Sequence, residues 1–270
     1  MYAPFFHGLR PTLHIAHRGG AALAPENTEA AFRAAVERWR TDMLELDVHL
    51  TADGALVVAH DDTLERCTNG EGRIVDYTLG HLQRLDAGYR FTPDGGHTFP
   101  FRGQGVRMPS LREVLLAYPG LPLNVELKQA TPGAAEALAK EVRGMGAGPR
   151  VCIGSELVAL SQVLVALLPE VTHFYPSEAL HRAVLAVKSG EPLADDGPYG
   201  VLDMPYRYAD TVLVDAEFLA ATGRAGKWVN VWTVDAEEDM RTLVALGVGG
   251  IMTDRPDRLR AVLDAAQESH

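Results

Sequence analysis

Glu45 and Asp47 lie two residues apart, and the chain then turns at Asp53-Gly54 and returns through Leu56-Val57-Val58-Ala59 to His60-Asp61. Residues two apart in a strand point to the same face. Both carboxylates can therefore hold one hard cation, which takes oxygen ligands. A core strand needs neither group, because burying a carboxylate without a partner is costly. His60 stands at the end of the returning arm, close to that cation. The set reads as a metal-assisted catalytic site.

Strand-like and helix-like segments alternate along the chain, which predicts a mainly parallel sheet wrapped by helices. Strands are expected at residues 13–17, 43–49, 56–60, 123–128, 150–153, 171–175, 200–204, 228–234 and 250–253. The link between 43–49 and 56–60 is too short for a parallel crossover, which needs about a dozen residues, so these two arms form a hairpin. Helix starts are expected at Asn27 as an N-cap, at capping boxes Ser110/Glu113 and Asp235/Glu238, and at Thr131-Pro132, with Gly247 closing the Asp235 helix. Length and alternation fit a single (β/α)8 TIM-barrel-like domain over residues 1–270, with a β-hairpin after the second strand. The strands outnumber eight, which leaves open which arm of the hairpin joins the barrel. Residues 88–105, rich in Gly, Pro and aromatics, form a long loop of the kind that serves as a lid or binding loop. Its aromatics Tyr89, Phe91, Phe99 and Phe101 are expected to anchor it on the barrel rather than line the substrate's path.

In such a barrel the C-terminal strand ends converge on one mouth. His17-Arg18, Glu45, Asp47, Glu126, Lys128, Trp232 and Asp254 all fall at those ends. Three carboxylates suit Mg2+ or Ca2+. The cation, Arg18 and Lys128 together suit a phosphate. Two histidines serve as acid and base, since a free imidazole titrates at about 6.5. Blander roles compete. Arg18 and Lys128 can be structural partners of the carboxylates, and Trp232 can be core. Asp254 is expected to cap the final helix. Asn27 divides between capping and a hydrogen bond to substrate. Cys67, Cys152 and His7, His14, His49, His81, His97, His173, His181 and His270 are given no functional role.

The ordered motifs resemble the glycerophosphodiester phosphodiesterase family, within the phospholipase C-like phosphodiesterase superfamily. They are His17-Arg18-Gly19 with Pro25-Glu26-Asn27-Thr28, Glu45-Leu46-Asp47-Val48, Thr51-Ala52-Asp53-Gly54, Val57-Val58-Ala59-His60-Asp61, Arg66 with Thr68, Pro109-Ser110-Leu111, Asn124-Val125-Glu126-Leu127-Lys128, Val231-Trp232-Thr233-Val234 and Gly250-Ile251-Met252-Thr253-Asp254-Arg255-Pro256. The likeness runs from about residue 14 to the C-terminus, and it implies that residues 88–105 are a loop insertion over the barrel mouth. Cys67, and Arg40-Thr41-Asp42 before the second strand, depart from the pattern without touching a candidate catalytic group. The resemblance implies hydrolysis of glycerophosphodiesters to sn-glycerol 3-phosphate and an alcohol, with one divalent cation, Mg2+ or Ca2+, as cofactor. Carried over by position, Glu45, Asp47 and Glu126 are metal ligands and His17 and His60 the acid/base pair. Arg18 and Lys128 contact the phosphate, and Trp232 walls the glycerol pocket. His17 is assigned as base and His60 as acid, an order the sequence does not fix. Alternatives are a lysophospholipase D type activity on lysolipids, and a catalytically silent barrel that binds phosphate esters.

A net charge of −11 argues against a nucleic-acid surface or stable association with an anionic membrane. Two distant cysteines outside any CxxC spacing suggest reduced thiols. The N-terminal residues show no signal peptide and no segment is apolar enough to span a bilayer. A cytoplasmic enzyme acting on a small molecule is the expectation, with no oligomeric state implied.

Overall fold

The computed structural model describes Phe5, residues 8–194 and residues 197–268. His7 and His270 lie outside the described residues. The strands in chain order are β1 (Leu13–Ala16), β2 (Met43–Leu50), β3 (Leu56–Val58), β4 (Leu123–Leu127), β5 (Val151–Gly154), β6 (Thr172–Phe174), β7 (Tyr199–Pro205), β8 (Arg207–Tyr208), β9 (Thr211–Val212), β10 (Trp228–Trp232) and β11 (Gly250–Thr253). Among the described residues, eight of them pair in parallel in the order β1-β2-β4-β5-β6-β7-β10-β11, and β11 returns to β1 to close the barrel. The helices are α1 (Glu29–Arg33), α2 (Leu79–Leu82), α3 (Leu111–Ala117), α4 (Ala134–Gly144), α5 (Val158–Leu167), α6 (Ser177–Lys188), α7 (Ala216–Arg224), α8 (Glu237–Leu246) and α9 (Pro256–Glu268).

The expected hairpin is present, and β2 is its barrel arm. β3 runs antiparallel to the upper end of β2, with Val48 opposite Val58 and Leu50 opposite Leu56, and stays outside the closed ring. The turn is made by Gly54 at φ +76°, a conformation glycine adopts without steric cost. Thr51 fixes it, its Oγ1 donating to Asp53 Oδ1 at 2.6 Å. β1 pairs with β2 only through Ile15–Met43 and Ala16–Leu44. Above that point β3 replaces β1 as the second neighbour of β2, which satisfies its backbone groups and brings residue 60 to the mouth.

The barrel strands β1, β2, β5 and β11 are buried on both faces, as parallel barrel strands must be. Outward residues Leu44, Leu46 and Val48 pack on Phe32, Ala35, Leu111 and Leu115. On the other half, Met204, Val231 and Ile251 pack on Phe218, Met240 and Leu259. Each such side chain contributes about 1.5–3 kcal/mol on burial. The lower barrel interior is filled by Ile15, Met43, Cys152, Val201, Trp228 and Met252.

Several local expectations change. Thr28, not Asn27, caps α1, accepting from the Ala31 amide at 3.3 Å. Asn27 is drawn away toward β2 and takes φ +57°. The helix continues past Arg33 as a π-helical stretch, Ala34–Arg38. The Ser110/Glu113 capping box forms as expected. Asp235 caps nothing, because its Oδ1 accepts from Thr253 Oγ1 and the Asp254 amide instead, and Ala236 stands at the cap of α8. Gly133, not Thr131, precedes α4. Gly247 closes α8 in the left-handed region, as read. The short β8–β9 hairpin was not legible in the sequence pattern.

The 88–105 segment is closed at its base by the Ala87 amide donating to Val106 O at 2.9 Å. Its aromatics anchor it on one another: Arg102 lies 4.3 Å over Tyr89 and 3.8 Å over Phe99, and Phe91 meets Phe101 edge-on.

Candidate active site

β1 runs directly into a tight turn at His17–Gly19. Arg18, Gly19 and Gly20 take φ values of 49°, 83° and 95°. A Cβ on Gly20 would stand 2.7 Å from Pro256 Cγ, so both space and conformation demand glycine there. The turn therefore seats against the start of α9 and turns His17 and Arg18 inward. His17 Nδ1 meets Asp254 Oδ1 at 2.7 Å. Asp254, expected to cap the last helix, places its carboxylate on the histidine. The Arg18 amide donates to Glu45 Oε2 at 2.9 Å.

On β2, Glu45, Asp47 and His49 share the inward face and are buried. β4 contributes Glu126 and, just past its end, Lys128. Lys128 Nζ lies 3.2 Å from Glu126 Oε2 and 3.6 Å from Asp47 Oδ1, and Arg18 Nε lies 3.4 Å from Asp47 Oδ2. Asn27 Nδ2 donates to Asp47 Oδ2 at 2.9 Å. His60 follows β3, with Nδ1 2.6 Å from Asp61 Oδ1. His49, given no role from sequence, holds the turn before that histidine: its Nε2 lies 2.9 Å from His60 O and its Nδ1 2.5 Å from Gln129 Oε1.

Burial sets the electrostatics. It pushes the Glu45 carboxyl up to about 7, with the neighbouring Asp47 charge adding to it. It pushes Glu126 up to about 8 against the opposing charge of Lys128. Burial would lower His17, but the Asp254 hydrogen bond and the charges of Glu45 and Asp254 outweigh it and raise its pKa. For His60 burial prevails over the Asp61 hydrogen bond, and its pKa falls. The two imidazoles are thus driven in opposite directions, His17 toward the protonated form and His60 toward the neutral one.

His17, Arg18, Glu45, Asp47, His60, Glu126, Lys128 and Trp232 all line one cavity of about 210 Å³ at the barrel mouth. Asn27 is the exception among the candidates, since its Nδ2 donates to Asp47 and it lies outside the lining. Among the described residues, no residue of the 88–105 segment lines the cavity either. One wall is apolar, formed by Phe174, Leu180 and Met252 beside Trp232. Asn124 and Asp203 also line it. Asp203 accepts from Asn124 Nδ2 at 2.7 Å and Asn230 Nδ2 at 2.8 Å, and burial pushes its carboxyl up to about 6.

Asp203 was missed because one polar residue in an apolar strand carries no spacing signal. His49 had a signal, the same two-residue spacing that links Glu45 to Asp47. Both cysteines are free, and burial pushes the Cys67 thiol up to about 12. Among the described residues, no three His, Cys, Asp or Glu side chains are gathered closely enough to hold a metal ion as they stand. No helix among them is long and apolar enough to cross a membrane.

Comparison with known proteins gives the site its context. Residues 17–258 match the model of the glycerophosphoryl diester phosphodiesterase family. A glycerophosphodiester phosphodiesterase of Caldanaerobacter subterraneus subsp. tengcongensis is 35% identical over 259 residues, covering 92% of this chain and 96% of its own. The human lysophospholipase D GDPD1 is 26% identical over 275 residues, covering 93% and 86%. An Oleispira antarctica phosphodiesterase, solved in complex with the product sn-glycerol-3-phosphate, superposes with a TM-score of 0.71 at 25% identity, covering 96% of this chain and 98% of that one. The chain belongs to the glycerophosphoryl diester phosphodiesterase family.

Proposed function

We propose that the chain hydrolyses glycerophosphodiesters to sn-glycerol 3-phosphate and an alcohol, with His17 and His60 as the acid/base pair. One observation carries this reading. Two histidines, each with its Nδ1 tied to an aspartate, face a single cavity that is also lined by Glu45, Asp47 and Glu126, an arginine and a lysine. A carboxylate only accepts, so each Nδ1 carries the proton when the ring is neutral, and each Nε2 is the nitrogen available to substrate.

Glu45, Asp47 and Glu126 would hold a divalent cation. Their fit rests on the donor set: three carboxylates crowd one mouth, and burial already works against the charge of Glu45 and Glu126. An all-oxygen set with excess negative charge suits Mg2+ or Ca2+. When bound, the ion polarises phosphoryl oxygens and neutralises charge on the phosphate. Asn27 orients Asp47 rather than touching substrate.

Arg18 and Lys128 orient the phosphate, and Trp232 packs on the glycerol carbons. One histidine takes the proton of the neighbouring glycerol hydroxyl as its oxygen bonds to phosphorus. The other protonates the departing alcohol as the ester P–O bond breaks. Water then opens the cyclic phosphate with the two roles reversed, leaving sn-glycerol 3-phosphate and both histidines restored.

The test uses glycerophosphocholine with and without EDTA, reading glycerol 3-phosphate and choline separately. Both products should appear only with metal, and His17→Ala and His60→Ala should each lower kcat by roughly 10²–10⁴-fold. Phosphocholine as product would place the cut on the other ester bond and overturn the reading. A second substrate class, lysolipids, is favoured by the apolar wall of Phe174, Leu180 and Met252 and by the likeness to a lysophospholipase D. Cleavage of lysophosphatidylcholine with a lower KM than glycerophosphocholine would establish it.

A further inference from the structure

Arg66 does not line the cavity, yet four of its five N–H groups are engaged. Nε and Nη2 donate to Asp61 Oδ2 and Oδ1 at 2.6 and 3.0 Å. Nη1 and Nη2 donate to Glu26 Oε2 and Oε1 at 2.6 and 2.8 Å. Beyond each carboxylate stands a group of the site. Asp61 Oδ1 takes His60 Nδ1 at 2.6 Å, and Glu26 Oε1 accepts from Arg18 Nη1 at 3.1 Å. A single guanidinium thus joins the histidine on one side of the mouth to the arginine on the other.

Its own placement is built in. Thr68 is buried, and its Oγ1 donates to Leu64 O at 2.7 Å while accepting from the Gly70 amide at 2.9 Å. Leu64 is buried too, and its amide donates to Gly72 O. That turn leaves Arg66 on its outer side, 46% exposed. An exposed ion pair adds little stability by itself. Two forked carboxylate pairs on one planar group instead fix geometry. Hydrogen bonds from Arg66 also hold the Asp61 carboxyl well below the usual carboxylate range, so it meets His60 as an anion.

We propose that Arg66 is a positioning residue that sets the orientation of His60 through Asp61 and of Arg18 through Glu26 at the same time. The inference rests on the reading of His60 as acid/base and Arg18 as phosphate ligand. Lysine cannot replace it, because an ammonium has no planar fork to span two carboxylates.

The two arms can be separated kinetically with metal-loaded enzyme and glycerophosphocholine. Asp61→Asn should lower kcat at nearly constant KM, and Glu26→Gln should mainly raise KM. Arg66→Met and Arg66→Lys should each do both, by roughly 10–100-fold in kcat/KM. In the Asp61→Asn/Glu26→Gln background, Arg66→Met should change neither constant by more than about 2-fold, because residues acting as a unit are not additive. A merely structural arginine would lower the melting temperature and leave KM alone, and its effect would add in that background. Wild-type constants in both Arg66 variants, with His60→Ala inactive, would overturn the proposal while sparing the histidine reading. Full activity in His60→Ala would instead remove the reading, and this inference with it.

Discussion

The inward faces of the barrel strands change character halfway up. The lower interior is closed by Ile15, Met43, Cys152, Val201, Trp228 and Met252, while the upper interior gathers His17, Glu45, Asp47, Glu126 and Lys128. On β2 the change takes one step, from Met43 to Glu45. The same backbone serves both, so the difference lies in the side chains alone. Packing below supplies rigidity and stability. Crowded carboxylates above cost stability, and Arg18 and Lys128 bring positive charge beside them in the same cavity.

Substitutions in each half should therefore fail in opposite ways. Glu126→Gln removes one of three crowded carboxylates. It should lower kcat by at least about 100-fold yet raise the melting temperature measured in EDTA. A variant both slower and less stable would break the comparison. Met43→Ala should do the reverse, costing about 2–5 kcal/mol in urea unfolding with kcat of the folded enzyme nearly unchanged.

A third change sharpens the contrast from outside the barrel. His14 lies on the outer face of β1, fully buried, facing Arg260 and Asp264 of α9, with its amide bonded to Asp42. Burial, helped by Arg260, pushes its pKa down from 6.5 to about 4. The unfolded chain therefore binds more protons than the folded one between those values. Stability should be complete above pH 6.5 and fall as pH drops toward 4, by at most about 3 kcal/mol. His14→Leu should flatten that part of the melting-temperature profile, and an unchanged slope would show that other groups govern it.

Much of this was legible in the chain. The hairpin followed from a link too short to cross over, and the mouth residues from strand ends that a barrel brings together. What could not be read was where side-chain oxygens would go once the strands were in place. Asp235 and Asp254 both look like helix caps in sequence. In the fold one binds the end of β11 and the other His17. Asn27 has an N-cap's identity but is turned by its left-handed backbone onto Asp47. Such choices are made by tertiary neighbours, and local pattern carries no trace of them. Asp203 and His49 were hidden for a related reason, since a lone polar residue on a buried face is informative only when its partners are known.

The barrel is sealed where β1 meets β11, strands from opposite ends of the chain. The hydrogen bond from His17 to Asp254 crosses that same seam. Contacts this distant in sequence carry the largest loop-closure entropy and belong to the slow part of folding. A chain still open at the seam therefore has its carboxylate strand but lacks the Asp254 bond that orients His17 just after β1. Closure of the barrel and orientation of His17 are therefore one event.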